Sequence, residues 1–383
     1  MRSASTKAAA LFLLASSAAM RALPADGAPC QANAASIREA IGRVHEKQKN
    51  VGLAVAVASR GKTVFTEYLG FADLEHRVPV TAETAFGVAS VTKAFTGAAL
   101  LKLWEAGAID LDAPIQRYVP SFPVKPGGAV TVRLLAAHLA GVRHWKAERT
   151  PELYATHFDD VEEILRLFQN DPLEAEPGAK YAYSSYGYDL LGVAIQRAAG
   201  KPYAAYVDDA VVKPLALGAT RFDDVRRVLP HRARRYSFYD PVTYKEGSVL
   251  FRVPDWDYSH NMAAGNMVST AEDLARFGSA FVRPGFLEQR SWRLLQTRPK
   301  TEKAESPMNF GWFVPKAGDA PRDLHTGGSN AGLQAGLFVY PDSDIVVAVL
   351  SNTWGIGSRS AEMVDALPRR VASLCGVSGA DAR

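Results

Sequence analysis

Apolar positions along the chain fall into three regimes. Ile37, Ile41 and Val44 recur at helical spacing and predict an amphipathic helix over 33–50. From Val51 to Ser59 the chain is almost continuously apolar. A turn follows at Arg60-Gly61-Lys62, and residues 63–71 are rich in β-branched and aromatic side chains, so the two runs read as a hairpin. After Thr84 the pattern changes. Ala94, Phe95, Ala98, Leu100, Leu101, Leu103 and Trp104 place apolar groups on nearly every side of a helix over 91–106, the mark of a buried helix. Helical patterns broken by Pro and Gly continue over 131–139, 160–168, 186–199 and 203–212. Residues 236–258 have no period but carry Tyr236, Phe238, Tyr239, Tyr244, Phe251, Trp256 and Tyr258. They read either as a packed surface loop or as a wall over a pocket. Thr270 caps a helix that begins at Ala271. Strand patterns return at 333–340 and 345–350 around the turn 341–344, and a helix over 360–374 closes the chain.

Strands at both ends with helices between them predict an α+β fold of sandwich type. Its simplest form is one antiparallel sheet built from 31–86 and 310–383 with their flanking helices, and a mainly helical domain, 87–309, inserted between them. The 383 residues are 48% hydrophobic and 22% charged, an ordinary globular balance.

The first residues depart from that balance. Arg2 and Lys7 precede an apolar core at Leu11-Phe12-Leu13-Leu14, and no acid stands before Asp26. Residues 1–28 therefore read as a secretory signal peptide, and the mature chain as periplasmic or secreted. A mitochondrial transit peptide is the alternative. The apolar run is too short to span a bilayer, so no stable membrane span is expected in the mature chain. Removing 1–28 takes away Arg2, Lys7, Arg21 and Asp26 and lowers the formal charge from +4 to +2. That is too little to imply nucleic acid as a partner, and Arg226, Arg227, Arg232 and Arg235 read as a solvated stretch. Cys30 and Cys375 stand at opposite ends. They are either a disulfide or two unpaired thiols, and their spacing leaves this open.

Two Ser-x-x-Lys patterns occur. Ser59 to Lys62 crosses the hairpin turn, where nothing brings the two side chains together. Ser90 to Lys93 opens the buried helix, where this spacing puts both on one face. A helix start offers unpaired N–H groups and a partial positive charge, which stabilise an oxyanion. Both that field and burial disfavour an ammonium, so a lysine there can take a proton from serine. On spacing alone, an N-cap serine followed by a surface lysine is the competing reading. Two further segments carry chemistry. Tyr183-Ser184-Ser185 precedes a helix, and a tyrosine beside a lysine can relay a proton. His325-Thr326-Gly327-Gly328 precedes a strand, and its glycines let backbone N–H groups approach a substrate carbonyl. His138 and His144 lack a third ligand at zinc-type spacing, so His138 reads as structural and no metal is expected.

Ser90-x-x-Lys93, Tyr183-x-Ser185 and His325-Thr326-Gly327, in this order, resemble the serine β-lactamase and penicillin-binding protein superfamily, on its class C side. The flanks agree, among them Phe86-Gly87-Val88-Ala89, Leu135 to Gly141, Ser269 to Leu274 and Phe310-Gly311-Trp312. Further segments, such as Leu103 to Gly107 and Tyr183 to Tyr188, are most similar to the mitochondrial serine β-lactamase-like branch. The resemblance implies a five-stranded antiparallel sheet flanked by terminal helices, with the active site between sheet and helical domain. Ser90 would be the acylated nucleophile, Lys93 its proton acceptor and Tyr183 a general base. The N–H groups of Ser90 and Gly328 would form an oxyanion hole. Ser185, His325, Thr326 and Gly327 would bind substrate, a small molecule or peptide, without any cofactor. Terminal helices packed side by side would favour a Cys30–Cys375 bond, and self-assembly is an open possibility. Many relatives carry Asn at the Ser185 position and Lys at the His325 position. A hydroxyl cannot act as an amide donor–acceptor pair, and histidine is not a permanent cation. Both departures turn the expectation from efficient β-lactam hydrolysis toward an amidase or peptidase, with an esterase, or a weak β-lactamase or D-Ala-D-Ala carboxypeptidase, as the alternative. A non-catalytic acyl-binding or assembly protein that retains the fold is the competing class.

Overall fold

The computed structural model describes residues 27–145, 150–240, 243, 245–354 and 361–382. The signal-peptide reading of 1–28, all but its last two residues, lies outside the described residues, as does Tyr244.

Five long strands carry the sheet: β1 (Gly52–Ser59), β2 (Lys62–Asp73), β3 (Leu324–Asn330), β4 (Leu333–Tyr340) and β5 (Ile345–Ser351). They lie in the order β2-β1-β5-β4-β3, every pair antiparallel. Three two-residue strands extend the edges to eight: Val78–Pro79 beyond β2, then Trp312–Phe313 and Met308–Asn309 beyond β3. The central pairing joins the two ends of the chain, with Val55 opposite Val349 and Val57 opposite Val347.

Both faces of this sheet are covered, which explains why its strands read as unbroken apolar runs. On β1, Leu53, Val55 and Val57 pack beneath the terminal helices, α1 (Ala34–Gln48) and α5 (Leu367–Leu374). Ala54, Ala56 and Ala58 face the helical layer. Small residues on that side admit α4 (Ala271–Ser279), where a Cβ on Gly278 would come within 2.6 Å of Val346. The α4 ring of Phe277 stacks at 3.8 Å on Phe95 of the central helix, α2 (Thr92–Glu105). α2 is buried along most of its length. Across it lies α3 (Ser185–Ala199), also largely buried.

The amphipathic first helix, the hairpin and the buried helix stand near their expected bounds. Residues 236–258 differ. They hold two antiparallel strands, Tyr236–Tyr239 and Glu246–Arg252, the first of which pairs in parallel with Thr353–Trp354. Buried Tyr236 and Phe238 anchor this hairpin, while its second strand is mostly exposed, so no alternation marked it. The arginine stretch is also not simply solvated, since Arg232 and Arg235 both pair with buried Asp223. Cys30 and Cys375 are joined by a disulfide that ties the N-terminal segment to the end of α5. Among the described residues no helix is long and apolar enough to cross a membrane.

Candidate active site

The serine segment is held from three sides. Phe86–Gly87 pairs with Ser269 and Val268, and Val88 and Val91 are fully buried. Between them Ala89 adopts φ +44°, a left-handed conformation that costs an alanine about 1–3 kcal/mol and is imposed by its surroundings. The turn presents Ser90 at the start of α2. Lys93, one turn on, is fully buried.

A buried ammonium left unpaired costs several kcal/mol. Lys93 Nζ meets this with three acceptors: Ala264 O at 2.8 Å, Ser90 Oγ at 3.2 Å and Ser185 Oγ at 3.2 Å. Three acceptors match the three N–H groups of an ammonium. A neutral amine keeps two N–H groups and a lone pair. In that state Ala264 O and Ser185 Oγ can hold the two N–H groups while the lone pair faces Ser90. Ser185 is thus bound to the lysine. The ring of Tyr183 lies 4.9 Å from Nζ.

Tyr183 O–H donates to Ser90 Oγ at 2.9 Å. Its segment is fixed because Ser184 caps α3, its Oγ accepting from Gly187 N–H at 2.8 Å and donating to Arg143 O at 2.7 Å. Two histidines complete the fixing. Ser184 N–H donates to His138 Nδ1 and Ser185 N–H to His144 Nδ1, each at 3.1 Å. Burial first, then the charge on Lys93, pushes His138 well below the ordinary histidine range. It is therefore a neutral imidazole whose Nδ1 accepts, which places its proton on Nε2. This positioning role was not assigned from sequence. The signal was two histidines six residues apart, on a separate segment well before Tyr183 in the chain.

β3 closes the other side. A Cβ on Gly328 would sit 2.3 Å from Val88 O and 2.7 Å from Ser90 N, so glycine alone lets this strand press against the serine turn. Gly311 does the same behind the lysine. At φ +87° its Cβ would lie 2.4 Å from the Lys93 carbonyl. Thr326 is buried. His325 is placed elsewhere than the sequence reading has it. Its ring is stacked between Phe313 and Phe338, 5.0 and 4.9 Å between centroids, and Nδ1 lies 2.9 Å from Asp323 Oδ2. That carboxylate also binds Arg369 of α5 at 3.1 Å. Strand alternation turns His325 toward the terminal helices, and its described contacts include none with Ser90, Lys93 or Tyr183. The structure therefore brings together Ser90, Lys93, Tyr183, Ser185 and Gly328, and leaves His325 out.

Known proteins resemble this chain in sequence and in fold. The Beta-lactamase family model matches residues 37–367. Serine beta-lactamase-like protein LACTB, mitochondrial, of Homo sapiens is 29% identical over 438 residues, covering 87% of this chain and 79% of the relative. Its Mus musculus counterpart is 30% identical with the same coverage. Among solved structures, the D-amino acid amidase of Ochrobactrum anthropi SV3 superposes with a TM-score of 0.73 at 23% identity, covering 88% of this chain and 98% of the amidase. EstCE1, described as a hydrolase with promiscuous acyltransferase activity, superposes with a TM-score of 0.72 at 22% identity, covering 90% and 98%.

Proposed function

Since the chain belongs to the beta-lactamase family of serine hydrolases, we propose that it cleaves acyl bonds through a covalent intermediate on Ser90, with amide or peptide bonds as its substrates. One observation carries this reading: Ser90 Oγ lies within hydrogen-bond reach of both Lys93 Nζ and Tyr183 O–H. The serine needs a base to lose its proton and an acid to protonate the leaving nitrogen. Neutral Lys93 takes the Ser90 proton as Oγ bonds the acyl carbon, and Tyr183 passes a proton to the departing amine. Water then attacks the ester with the same pair acting in reverse. The N–H groups of Ser90 and Gly328 hold the oxyanion, a role supported by the close approach of β3 to the serine turn.

The amide preference rests on Tyr183, because an amine leaving group must be protonated and an alkoxide needs this less. The amidase among the structural neighbours fits it. Ester cleavage is the second reading, since the same acyl intermediate on Ser90 forms from an ester, whose alkoxide needs less protonation to leave. A disulfide between Cys30 and Cys375 supports an oxidising compartment, in line with export.

A fluorophosphonate probe tests the reading. The folded protein is expected to be labelled on Ser90, and Ser90→Ala to remove all labelling. A folded protein that stays unlabelled, or labelling that survives the substitution, refutes it. Turnover of peptides, D-amino-acid amides, short esters and a chromogenic β-lactam, with Ser90→Ala as blank, then ranks the substrates.

A further inference from the structure

Behind the lysine lies a buried acid that the reaction above does not use. Asp189 stands one turn after Ser185 on α3 and is fully buried. Its Oδ1 accepts from Ala263 N–H at 3.0 Å, while Oδ2 is buried without a hydrogen-bond partner. The next residue, Ala264, gives its carbonyl to Lys93 Nζ at 2.8 Å. One short helix, Met262–Gly265, is thus pinned by Asp189 at one residue and holds Lys93 with the next. α3 packs hard on it, since a Cβ on Gly192 would come within 2.7 Å of Ala263 Cβ. A half-satisfied carboxyl in such a place is costly, and packing alone gives no reason for it.

We propose, on the serine-hydrolase reading, that Asp189 is a positioning residue of this site: it fixes the backbone that receives Lys93 and, by its own charge, decides when that lysine is a neutral amine. The titratable groups around the pair come from every packed element. Lys93 faces it from α2, Tyr203 from the helix that follows α3, Tyr183 and Tyr188 from α3 and its lead-in, and His138 and His144 from the segment beneath Tyr183. Burial pushes Asp189 up to about 8, against the opposing pull of Lys93. Below that pH the carboxyl is neutral and lends an ammonium no support. Above it the carboxylate stabilises the ammonium and delays its loss of a proton. Asp189 takes no part in the transfer itself, in which the Ser90 proton moves to Lys93 Nζ.

Asp189→Asn keeps an acceptor for Ala263 N–H and removes the charge. The rate of fluorophosphonate labelling at Ser90 is measured against pH for both proteins. The expected result is a half-maximum lower by about one pH unit, roughly tenfold in proton concentration, with an unchanged plateau. Superimposed curves overturn the proposal, since a purely structural residue moves no titration. If the variant does not fold, infrared spectroscopy of the unaltered protein decides. Burial pushes the Asp189 carboxyl up to about 8, so a protonated carboxyl band is expected at pH 7, fading as pH rises through about 8. Its absence at pH 7 overturns the proposal. This reading needs no turnover, so an unlabelled Ser90 refutes the hydrolase assignment separately.

Discussion

A serine hydroxyl with a lysine on one side and a tyrosine on the other gives the two partners separable duties. On the proposed mechanism, Lys93→Met removes the proton acceptor and leaves a side chain of similar length. Its kcat/KM is expected to fall about 10³-fold or more, with KM little changed. Tyr183→Phe removes one hydroxyl; amide turnover should fall at least about 10²-fold, and ester turnover less, since an alkoxide leaves more readily. Equal losses on both substrates would remove the acid role of Tyr183. Asp189 also marks the stability of the fold. Its native pKa lies above its unfolded value, so between about pH 4 and 8 the native state holds a proton that the unfolded chain has lost. Its contribution to stability is therefore intact at low pH and lost as pH rises through that window. His138 works in the opposite sense, being neutral in the fold, and costs stability as pH falls below its unfolded value. Urea unfolding of the native protein and Asp189→Asn should show a gain for asparagine that grows from pH 5 to pH 8, on the order of a few kcal/mol at most. A constant difference would mean that the carboxyl titrates normally. That Ser90, Lys93 and Tyr183 lie together was legible in sequence through the order of their motifs, which the family resemblance supplied and spacing alone did not. Asp189 was not, because an acid in an apolar helix pattern looks like an exposed position. His325 was misread because strand alternation, and not the neighbouring Thr-Gly, decides which face a side chain takes.

Elements explain how these residues meet. The serine turn with the lysine helix that follows it, the tyrosine lead-in and β3 come from three separated parts of the chain, and at two junctions the contact is backbone against backbone. Gly328→Ala tests one of them. The added methyl meets Val88 O and Ser90 N, neither of which can yield as a side chain tip does. A shift of about 1 Å at the nucleophile should cost around 10²-fold in kcat, with a stability loss of roughly 1–3 kcal/mol. Wild-type kinetics in this variant would show that β3 does not set the serine geometry. Periodicity read the terminal helix, the β1–β2 hairpin and α2 well, since each has one dominant pattern. It failed over 236–258, where the first strand is joined to Thr353–Trp354 by pairing more than a hundred residues away. Local pattern carries no trace of such a partner.

At the scale of the whole molecule, β1 from one end of the chain pairs with β5 from the other, and the helical layer closes over one face. The sandwich plan was readable because strand patterns stood at both ends. The bond between the two cysteines was readable from spacing only as one of two alternatives, and the resemblance favoured it, since cysteines 345 residues apart pair only if the fold brings them together. The bond should stabilise the protein by about 2–4 kcal/mol through the freedom it denies the unfolded chain. Replacing both cysteines by serine is expected to lower the urea midpoint without changing activity in dilute buffer. An unchanged midpoint would mean that the terminal helices are held by packing alone.

That bond also alters what the molecule is once it loses its fold. A chain closed between Cys30 and Cys375, 345 residues apart, unravels into a ring, more compact than a linear polymer of the same mass. On a non-reducing gel it should migrate faster than its reduced form. A single proteolytic cut inside the ring, for instance in the exposed hairpin strand Glu246–Arg252, releases nothing, because the two pieces stay tethered through Cys30 and Cys375. A nicked molecule therefore keeps its full mass until it meets a reductant, and its integrity is reported by redox conditions as much as by protease resistance.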